Sequence, residues 1–508
     1  MKKHFLIGTL ILLTGCAGVK TDWPGLGRNP QSVYEFIDYI PKLNERVKSP
    51  DYLNPGTCTT FIKKYTNYVY EKDSEFYFPK NEAEKAYFLE KGEESLRGLF
   101  QLRLSLRDFV KTNQASISRE CVEEIRNAIR YTRFAEDSLA EWLYNNSESP
   151  STVPAILFTG GEPHTLINPK YGVVDFKPGD LLLMRGQSFV SAMIARIGDG
   201  DVQFSHLGMI GQDAKGKLYV VEALIETGAI YTPLDEFLKK EEARIVLLRQ
   251  DDEELAKKSA RKIFDFVYNV KSKGKVVPYD FGMQDDEHTQ LFCSEVIRYA
   301  YKLGSDGEYQ VPLYRTSFSK LADSQFFKDM GIKSRQAFAP ADIDLDPRFD
   351  VVAEFRTIPR LRKLRIMDSI LTSIYYWIEK EDYELKFNIS TKLKSNMAWV
   401  ARKMGFMKSK IQFHMPQSTI ETVLKFESLT KPLEDNLMSY EKDYFERHGH
   451  SLTFKDLLRA NEEFRLRDCE AYKINQKGMT EEGFVPVEVK FHNEFRAPSK
   501  ESCGFKKE

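Results

Sequence analysis

The sequence predicts an α+β protein in which a small antiparallel sheet and a helix that begins at a cysteine lie between two mainly helical regions. Residues 204–210 and 217–223 have the composition of strands, and they carry a histidine and a carboxylate. Apolar residues recur at helical spacing after Cys293, so this helix can pack one face against the sheet. The stretches before residue 146 and after residue 356 show helical periodicity, which predicts helical regions on both sides.

The overall composition indicates a folded, multidomain protein. With 508 residues, the chain is long enough for about two to four domains. A hydrophobic fraction of 42% and an aromatic fraction of 13% are typical of folded material. Lysine and arginine number 74 against 75 aspartate and glutamate, so the net charge of −1 gives no reason to expect a nucleic-acid partner.

Residues 1–16 are predicted to be a bacterial lipoprotein signal peptide. Two lysines precede a short apolar run, and residues 13–16 match the lipoprotein box that ends in Cys16. The run is too short for a permanent span, so cleavage should leave Cys16 as a lipidated N-terminus that anchors the protein to a membrane. An ordinary secretory signal with an incidental cysteine is the alternative. Ala17 is compatible with sorting to the outer membrane, facing the periplasm.

Residues 22–145 are predicted to form a helical domain, and residues 146–171 a linker. Two apolar stripes at helical spacing run through the first region: Leu99, Leu102, Leu106, Phe109 and Val110, then Val122, Ile125 and Ile129. We expect the charged residues among them to face solvent. The linker is rich in asparagine, serine, glycine and proline, which favour irregular backbone.

Residues 172–356 are predicted to hold the sheet. Besides the histidine and glutamate strands, we expect strands at 180–184 and 244–248 and helices at 191–197 and 254–267. No metal or cofactor is predicted. Residues 198–201 lack the spacing of a calcium loop, and His448 and His450 would need a further ligand from elsewhere.

Residues 357–508 are predicted to form a helical C-terminal domain. The apolar run at 366–378 is too short to span a membrane, which favours a core helix. Helices are also expected at 424–445 and 454–464, with Pro432 breaking the first of them.

The cysteine content is consistent with export. If Cys16 carries lipid and Cys293 is a catalytic thiol, four cysteines remain, and these allow three pairings. The simplest hypothesis places one disulfide in each flanking region, joining Cys58 to Cys121 and Cys469 to Cys503.

Cys293 is the candidate nucleophile because it stands where a loop becomes a helix. Backbone N–H groups at a helix start carry partial positive charge, which stabilises a thiolate. His206 lies in a strand, where a sheet could hold its ring still as a general base requires. Glu222 on the next strand could orient the imidazole and stabilise its protonated form. A core cysteine and a hydrogen-bonded strand histidine are the alternative interpretation of the same residues.

Several segments follow one another in an order that resembles a known family. They are residues 177–183, 204–208, 221–223, 279–281 and 292–295, with a closing segment at 340–349. This order is similar to the YiiX-like branch of the circularly permuted, NlpC-type papain-fold cysteine hydrolases, in which the strand histidine precedes the cysteine. The resemblance implies a permuted papain-like domain with Cys293 as nucleophile, His206 as base and Glu222 as the third polar residue.

Two further residues are candidates for the site, Tyr279 because of the resemblance and His288 because it is near Cys293 in sequence. Tyr279 is similar to the family tyrosine before the nucleophile helix, and its hydroxyl could donate to an oxyanion beside the backbone N–H of Cys293. Simple packing of Tyr279 is the alternative. His288 is nearer to Cys293 in sequence than His206 is, but it lies in a polar run typical of an exposed loop, so we expect it outside the triad or on the substrate side.

The leading hypothesis for function is an envelope-anchored cysteine amidase or peptidase. Peptidoglycan stem peptides or other N-acylated amines would be its substrates in that compartment. Two alternatives stay open. The same site could cleave or transfer lipid acyl chains, as in the distantly similar lecithin-retinol-type acyltransferases, or the papain-like region could only bind, as part of a non-catalytic lipoprotein scaffold.

Overall fold

The computed structural model describes residues 29–146, 163–385 and 416–497, apart from 173, 197, 199–202, 241, 285–287, 320–326, 329–330 and 481. The predicted signal peptide with Cys16, residues 147–162 of the predicted linker, and Cys503 lie outside the described residues. Within them the protein is α+β, as predicted, with an antiparallel sheet and helical regions before and after it.

Within residues 29–146 the structure has five helices. They are α1 (Val33–Lys48), α2 (Cys58–Tyr70), α3 (Ser74–Tyr77), α4 (Glu82–Thr112) and α5 (Arg119–Asn146). Asn81 caps α4 by accepting from the backbone N–H of Glu84 at 3.0 Å. A disulfide joins Cys58 at the start of α2 to Cys121 in α5, with the two Cα atoms 5.7 Å apart, which is the first of the two predicted pairings. Apolar side chains from all five helices share one core.

The charges of α4 and α5 do not follow the sequence prediction. Eight of their charged side chains are buried: Arg103, Arg107, Arg126, Arg130, Arg133, Glu136, Asp137 and Glu141. The expectation of solvent-facing charges is wrong for these residues. The physical reason is long-range pairing, since Arg103, for example, donates to Glu354, which lies 251 positions along the chain.

The sheet is larger than the small one expected. The strands of the chain up to residue 357 are β1 (Pro163–Ile167), β2 (Leu181–Arg185), β3 (His206–Gln212), β4 (Leu218–Leu224), β5 (Gly228–Pro233), β6 (Arg244–Gln250), β7 (Thr316–Ser317), β8 (Gln336–Ala337) and β9 (Phe349–Thr357). Seven of them form one antiparallel sheet in the order β1-β9-β6-β2-β3-β4-β5, and β7 pairs with β8 alone.

Strand β1 corrects the predicted linker. It lies within residues 146–171 but pairs along its whole length with β9, from Pro163 opposite Thr357 to Ile167 opposite Ala353. An edge strand of five residues carries too short a pattern to be distinguished from a loop, and here the neighbouring strand supplies the hydrogen bonds that define it.

Helices cover one face of the sheet near its middle. The helices of this part are α6 (Phe189–Arg196), α7 (Leu234–Phe237), α8 (Glu253–Ser272) and α9 (Cys293–Gly304), followed by a 3₁₀ helix at Pro340–Leu345. Helices α8 and α9 pack on each other and on β3. Their approach requires a glycine, because a Cβ added at Gly304 would lie 2.0 Å from Oγ of Ser259. The close packing fixes the start of α9 relative to the strands.

The C-terminal region is helical, as predicted. It contains α10 (Ile358–Lys380), α11 (Gln417–His448) and α12 (Phe454–Gly478), with two short strands, β10 (Glu384–Leu385) and β11 (Phe495–Arg496), that pair with each other. None of the helices in the described ranges is long and apolar enough to cross a membrane. Cys469 is disulfide-bonded, but its predicted partner Cys503 lies outside the described part of the chain.

Pro432 does not break its helix, contrary to the sequence prediction. Helix α11 runs through this position without a gap. A proline inside a helix removes one backbone hydrogen bond and clashes with the preceding turn. Here the buried side chains of Leu429, Leu433 and Leu437 hold the segment against α10 and α12, and this packing outweighs the local cost.

Candidate active site

The start of α9 places the sulfur of Cys293. Phe292 precedes the helix in an extended conformation, and Glu295 reaches back so that its Oε2 accepts from the backbone N–H of Phe292 at 3.4 Å. Val296 and Ile297 are fully buried and seat the helix against the sheet. Cys293 is 4% exposed and is the free cysteine of the described residues. Its backbone N–H belongs to the first helical turn, which has no acceptor within the helix.

The sheet brings His206 and Glu222 together. His206 is the first residue of β3 and Glu222 lies in β4. Because Met209 is paired with Val221, His206 and Glu222 are diagonal neighbours on the same face of the sheet. The result is a hydrogen bond of 2.8 Å between Nε2 of His206 and Oε2 of Glu222.

His206 also interacts with the sulfur of Cys293, since each of these two side chains shifts the pKa of the other. Since Nε2 is used by Glu222, Nδ1 is the ring nitrogen left for the sulfur. The histidine ring is thus held between a carboxylate and a thiol, which is the arrangement of a nucleophile, a base and an orienting group.

The electrostatics of this cluster favour a thiolate–imidazolium pair. Burial alone would lower the pKa of His206, but the hydrogen bonds and negative charges of Cys293 and Glu222 outweigh burial and raise this pKa to about 10. Burial alone would raise the pKa of the Cys293 thiol, but its hydrogen bond with His206 and the charge of the imidazolium lower it. The two shifts share one cause, which is the attraction between the two groups.

The carboxylate of Glu222 has a second partner that the sequence analysis missed. Nζ of Lys240 donates to Oε1 of Glu222 at 2.6 Å, while Oε2 faces His206. Burial would raise the pKa of Glu222, but His206 and Lys240 together lower it. Lys240 lies in a polar segment with no motif, so only the folded chain reveals this contact.

Tyr279 stands beside the sulfur. Its ring is 4% exposed and packs 5.2 Å from the ring of Phe281. Burial, together with the negative charge of the nearby Cys293 thiolate, raises the pKa of Tyr279 well above its ordinary value. The hydroxyl therefore stays protonated and is a hydrogen-bond donor next to the reacting sulfur.

His288 lies outside the cluster. Its ring stacks on Tyr299 with centroids 4.3 Å apart, and its Nε2 is 2.7 Å from Nζ of Lys302. Its Nδ1 is 4.0 Å from Glu295. These contacts place the side chain on the outer part of α9.

His448 and His450 lie near each other in the C-terminal region. The rings of His448 and His450 are 6.0 Å apart, and the ring of His450 stacks on Phe78. Nδ1 of His450 is 3.2 Å from the carbonyl of Ser451. Across the described ranges, no group of three or more histidine, cysteine, aspartate or glutamate side chains is placed to hold a metal ion.

Comparison with known families gives one match. Residues 175–353 match the model of the permuted papain-like amidase enzymes, the YaeF/YiiX or C92 family. This part of the chain is similar to the enzymes of that family, which are hydrolases. No curated protein and no solved structure is similar enough to the chain to count as a match. The matched range contains Cys293, His206, Glu222, Tyr279 and Lys240, and the family is one of cysteine amidases.

Proposed function

We propose that the protein is a cysteine amidase in which Cys293 is the nucleophile, His206 the general base and Glu222 the residue that orients His206. The single observation that carries this proposal is the convergence of a thiol, an imidazole and a carboxylate at the N-terminus of α9, with shifted pKa values that favour a thiolate. Reactive cysteines are found in such partly positive surroundings, whereas structural buried cysteines are not.

The first half of the reaction forms an acyl-enzyme. The thiolate of Cys293 adds to the amide carbon, and the resulting oxyanion accepts hydrogen bonds from the hydroxyl of Tyr279 and the backbone N–H of Cys293. The imidazolium of His206 gives its proton to the amide nitrogen, and the amine leaves. The product on the enzyme is a thioester.

The second half releases the acid. Neutral His206 takes a proton from water, and the water oxygen adds to the thioester carbon. The sulfur leaves as a thiolate, so the thiolate–imidazolium pair is restored. Glu222 stays ionised throughout, since its two partners hold its pKa below the usual range.

We further propose that the protein acts in a bacterial cell envelope, anchored by lipid on Cys16 at the outer membrane and facing the periplasm. The lipoprotein box at residues 13–16 supports this location. Peptidoglycan stem peptides, or other N-acylated amines, are then the amides within reach. The near-zero net charge gives no support for a nucleic-acid partner.

The first test needs no substrate. Alkylation of Cys293 is followed by mass spectrometry as a function of pH, in the chain from residue 17 onward and in its His206→Ala variant. We expect Cys293 of the parent protein to be alkylated at pH values well below the ordinary thiol pKa of about 8.5. In the His206→Ala variant, alkylation should require a higher pH. A thiol that reacts only above about pH 8.5 in the parent protein would contradict the proposal.

Hydrolysis should depend on pH differently from alkylation. As the pH falls through the lowered pKa of Cys293, both are lost because the thiolate is protonated. As the pH rises through the His206 pKa of about 10, alkylation continues, but hydrolysis declines because no imidazolium remains to protonate the leaving amine. Release of amines from purified stem peptides measures hydrolysis. If the protein instead releases lysolipid from phospholipid vesicles, and this release depends on Cys293, the substrate is a lipid and not an amide.

A further inference from the structure

We propose that Lys240 is a positioning residue of this site, fixing the Glu222 carboxylate in the orientation in which it accepts from His206. The proposal rests on the proposed cysteine amidase function. It adds a fourth member, from outside the strands, to the cysteine, histidine and glutamate.

The first support is that Lys240 occupies the one Glu222 oxygen that His206 does not. Nζ of Lys240 lies 2.6 Å from Oε1, and Nε2 of His206 lies 2.8 Å from Oε2. The side chain of Glu222 is 1% exposed, so water has little room to replace either partner. A carboxylate with both oxygens engaged by charged donors cannot rotate without breaking a strong hydrogen bond.

The second support is that Lys240 is itself held in place. It follows the short helix α7, and its backbone N–H donates to the carbonyl of Phe237 at 2.9 Å. Its Nζ lies 4.4 Å from the centroid of the Phe237 ring, and this ring is 1% exposed. The ammonium group is therefore fixed between a buried aromatic face and a buried carboxylate.

The third support is the order of charges along the site. The thiolate of Cys293, the imidazolium of His206, the carboxylate of Glu222 and the ammonium of Lys240 alternate in sign, so each charge is next to one of opposite sign. Without Lys240, the buried carboxylate would keep His206 as its one cationic hydrogen-bond partner and would bind the imidazole proton more strongly.

Two other charged groups face this end of the site. Glu242 is a half-buried carboxyl group near His206, Glu222 and Lys240, and burial raises its pKa above the usual range. Arg185 also acts on Glu242 electrostatically, and it ends strand β2 next to the β3 strand that begins with His206. The two oxygens of the Glu222 carboxylate are engaged by His206 and Lys240, so Lys240 is the group that can fix its rotation.

The test compares Lys240→Met with Lys240→Arg and with Lys239→Met as a matched control. Lys239 is the exposed neighbour of Lys240, so its substitution removes the same charge from the same segment without touching Glu222. The direct readout is the Nε2–H proton resonance of His206 in protein labelled with ¹⁵N-histidine, assigned by its loss in His206→Ala. We expect the resonance to broaden or shift in Lys240→Met and to be retained in Lys240→Arg and Lys239→Met.

The second readout is kinetic. We expect Lys240→Met to lower kcat for amide hydrolysis about tenfold with little change in KM. We expect Lys240→Arg to keep most of the parent activity, since a guanidinium group can also donate to the carboxylate.

An unchanged His206 resonance in folded Lys240→Met would overturn the positioning role. An ordinary Cys293 thiol in the parent protein would instead overturn the proposed function, and the resonance would still report on Lys240. If Lys240→Met does not fold, Lys240→Ala takes its place. A broadened or shifted His206 resonance in folded Lys240→Ala, with Lys239→Met unaffected, supports the role, and a spectrum identical to that of the parent refutes it.

Discussion

Two clusters of buried charge in this protein each pair a carboxylate with cations but have different consequences. One surrounds Cys293 at the start of α9. The other surrounds Glu354 in β9, where α4 and α5 meet the sheet. Glu354 is contacted by four arginines, Arg103, Arg133, Arg244 and Arg356, at 2.8 to 3.3 Å. Every side chain of this second cluster is 5% exposed or less.

The difference lies in access and in the kind of group that is charged. At the active site, the side chains of His206 and Lys240 are 20% and 36% exposed, so the buried carboxylate and sulfur are bordered by groups that solvent and substrate can reach. The site also contains a thiol and an imidazole, between which a proton can pass. Around Glu354, burial would raise the carboxyl pKa, but the arginines hold it well below the usual range. In this protein, a cluster of buried charges indicates a catalytic site only where it contains a nucleophile that a substrate can reach.

Substitution of Cys293 by alanine should have the largest effect on activity. Removing the sulfur removes the nucleophile, so we expect hydrolysis to fall by about 10⁴-fold or more. The thermal midpoint should stay close to that of the parent protein, because alanine fits the space of a small side chain. Both are measured on one preparation, by product release and by a thermal melt. If the variant still hydrolyses the amide, Cys293 is not the nucleophile.

The matching change in the second cluster is Glu354→Gln. It leaves buried arginines without their shared carboxylate, and the removal of one partner from a buried ion network costs about 3–5 kcal/mol of unfolding free energy. Urea denaturation measures this loss. In the molecules that remain folded, Cys293 should alkylate as in the parent. The control is Glu82→Gln, which changes a carboxylate that is 87% exposed and should leave the midpoint unchanged. Equal midpoints for both variants would show that the network is not needed for stability.

The two clusters were not equally predictable from sequence. The strands of His206 and Glu222 and the helix after Cys293 each carry a local pattern, and the resemblance joins them in the right order. No local pattern marks α5 as charged on its buried side, because the partners of Arg133 lie 211 and 221 positions away. A periodicity of apolar residues finds a buried face only when that face is apolar.

The sequence analysis did not predict the contact of Lys240 with Glu222, the strand β1 or the continuous helix at Pro432, and the reasons are related. Lys240 reaches Glu222 with a flexible side chain from a segment that has no motif. The β1 strand exists because β9 supplies its hydrogen bonds. The helix around Pro432 persists because its neighbours hold it. In each case a tertiary contact overrides a weak local preference.

A smaller effect is expected for Tyr279→Phe. This change keeps the ring and its packing but removes the hydroxyl that donates beside the sulfur. We expect kcat to fall by about 10- to 100-fold with little loss of stability, since one oxyanion donor of two remains. The pH at which Cys293 begins to alkylate should rise, because the thiolate loses a hydrogen bond. A variant as active as the parent would assign Tyr279 to packing alone.

The smallest effect should come from His288→Ala, which separates nearness in sequence from nearness in space. His288 is 5 residues from Cys293 in sequence and His206 is 87 residues away, yet His288 contacts Tyr299, Lys302 and Glu295. We expect His288→Ala to change hydrolysis by no more than about twofold, against a loss of about 10²- to 10⁴-fold for His206→Ala. Parallel assays at one pH compare the two. A loss in His288→Ala that approaches the loss in His206→Ala would mean that the polar run before α9 takes part in the reaction, because packing on the outside of the helix cannot account for it.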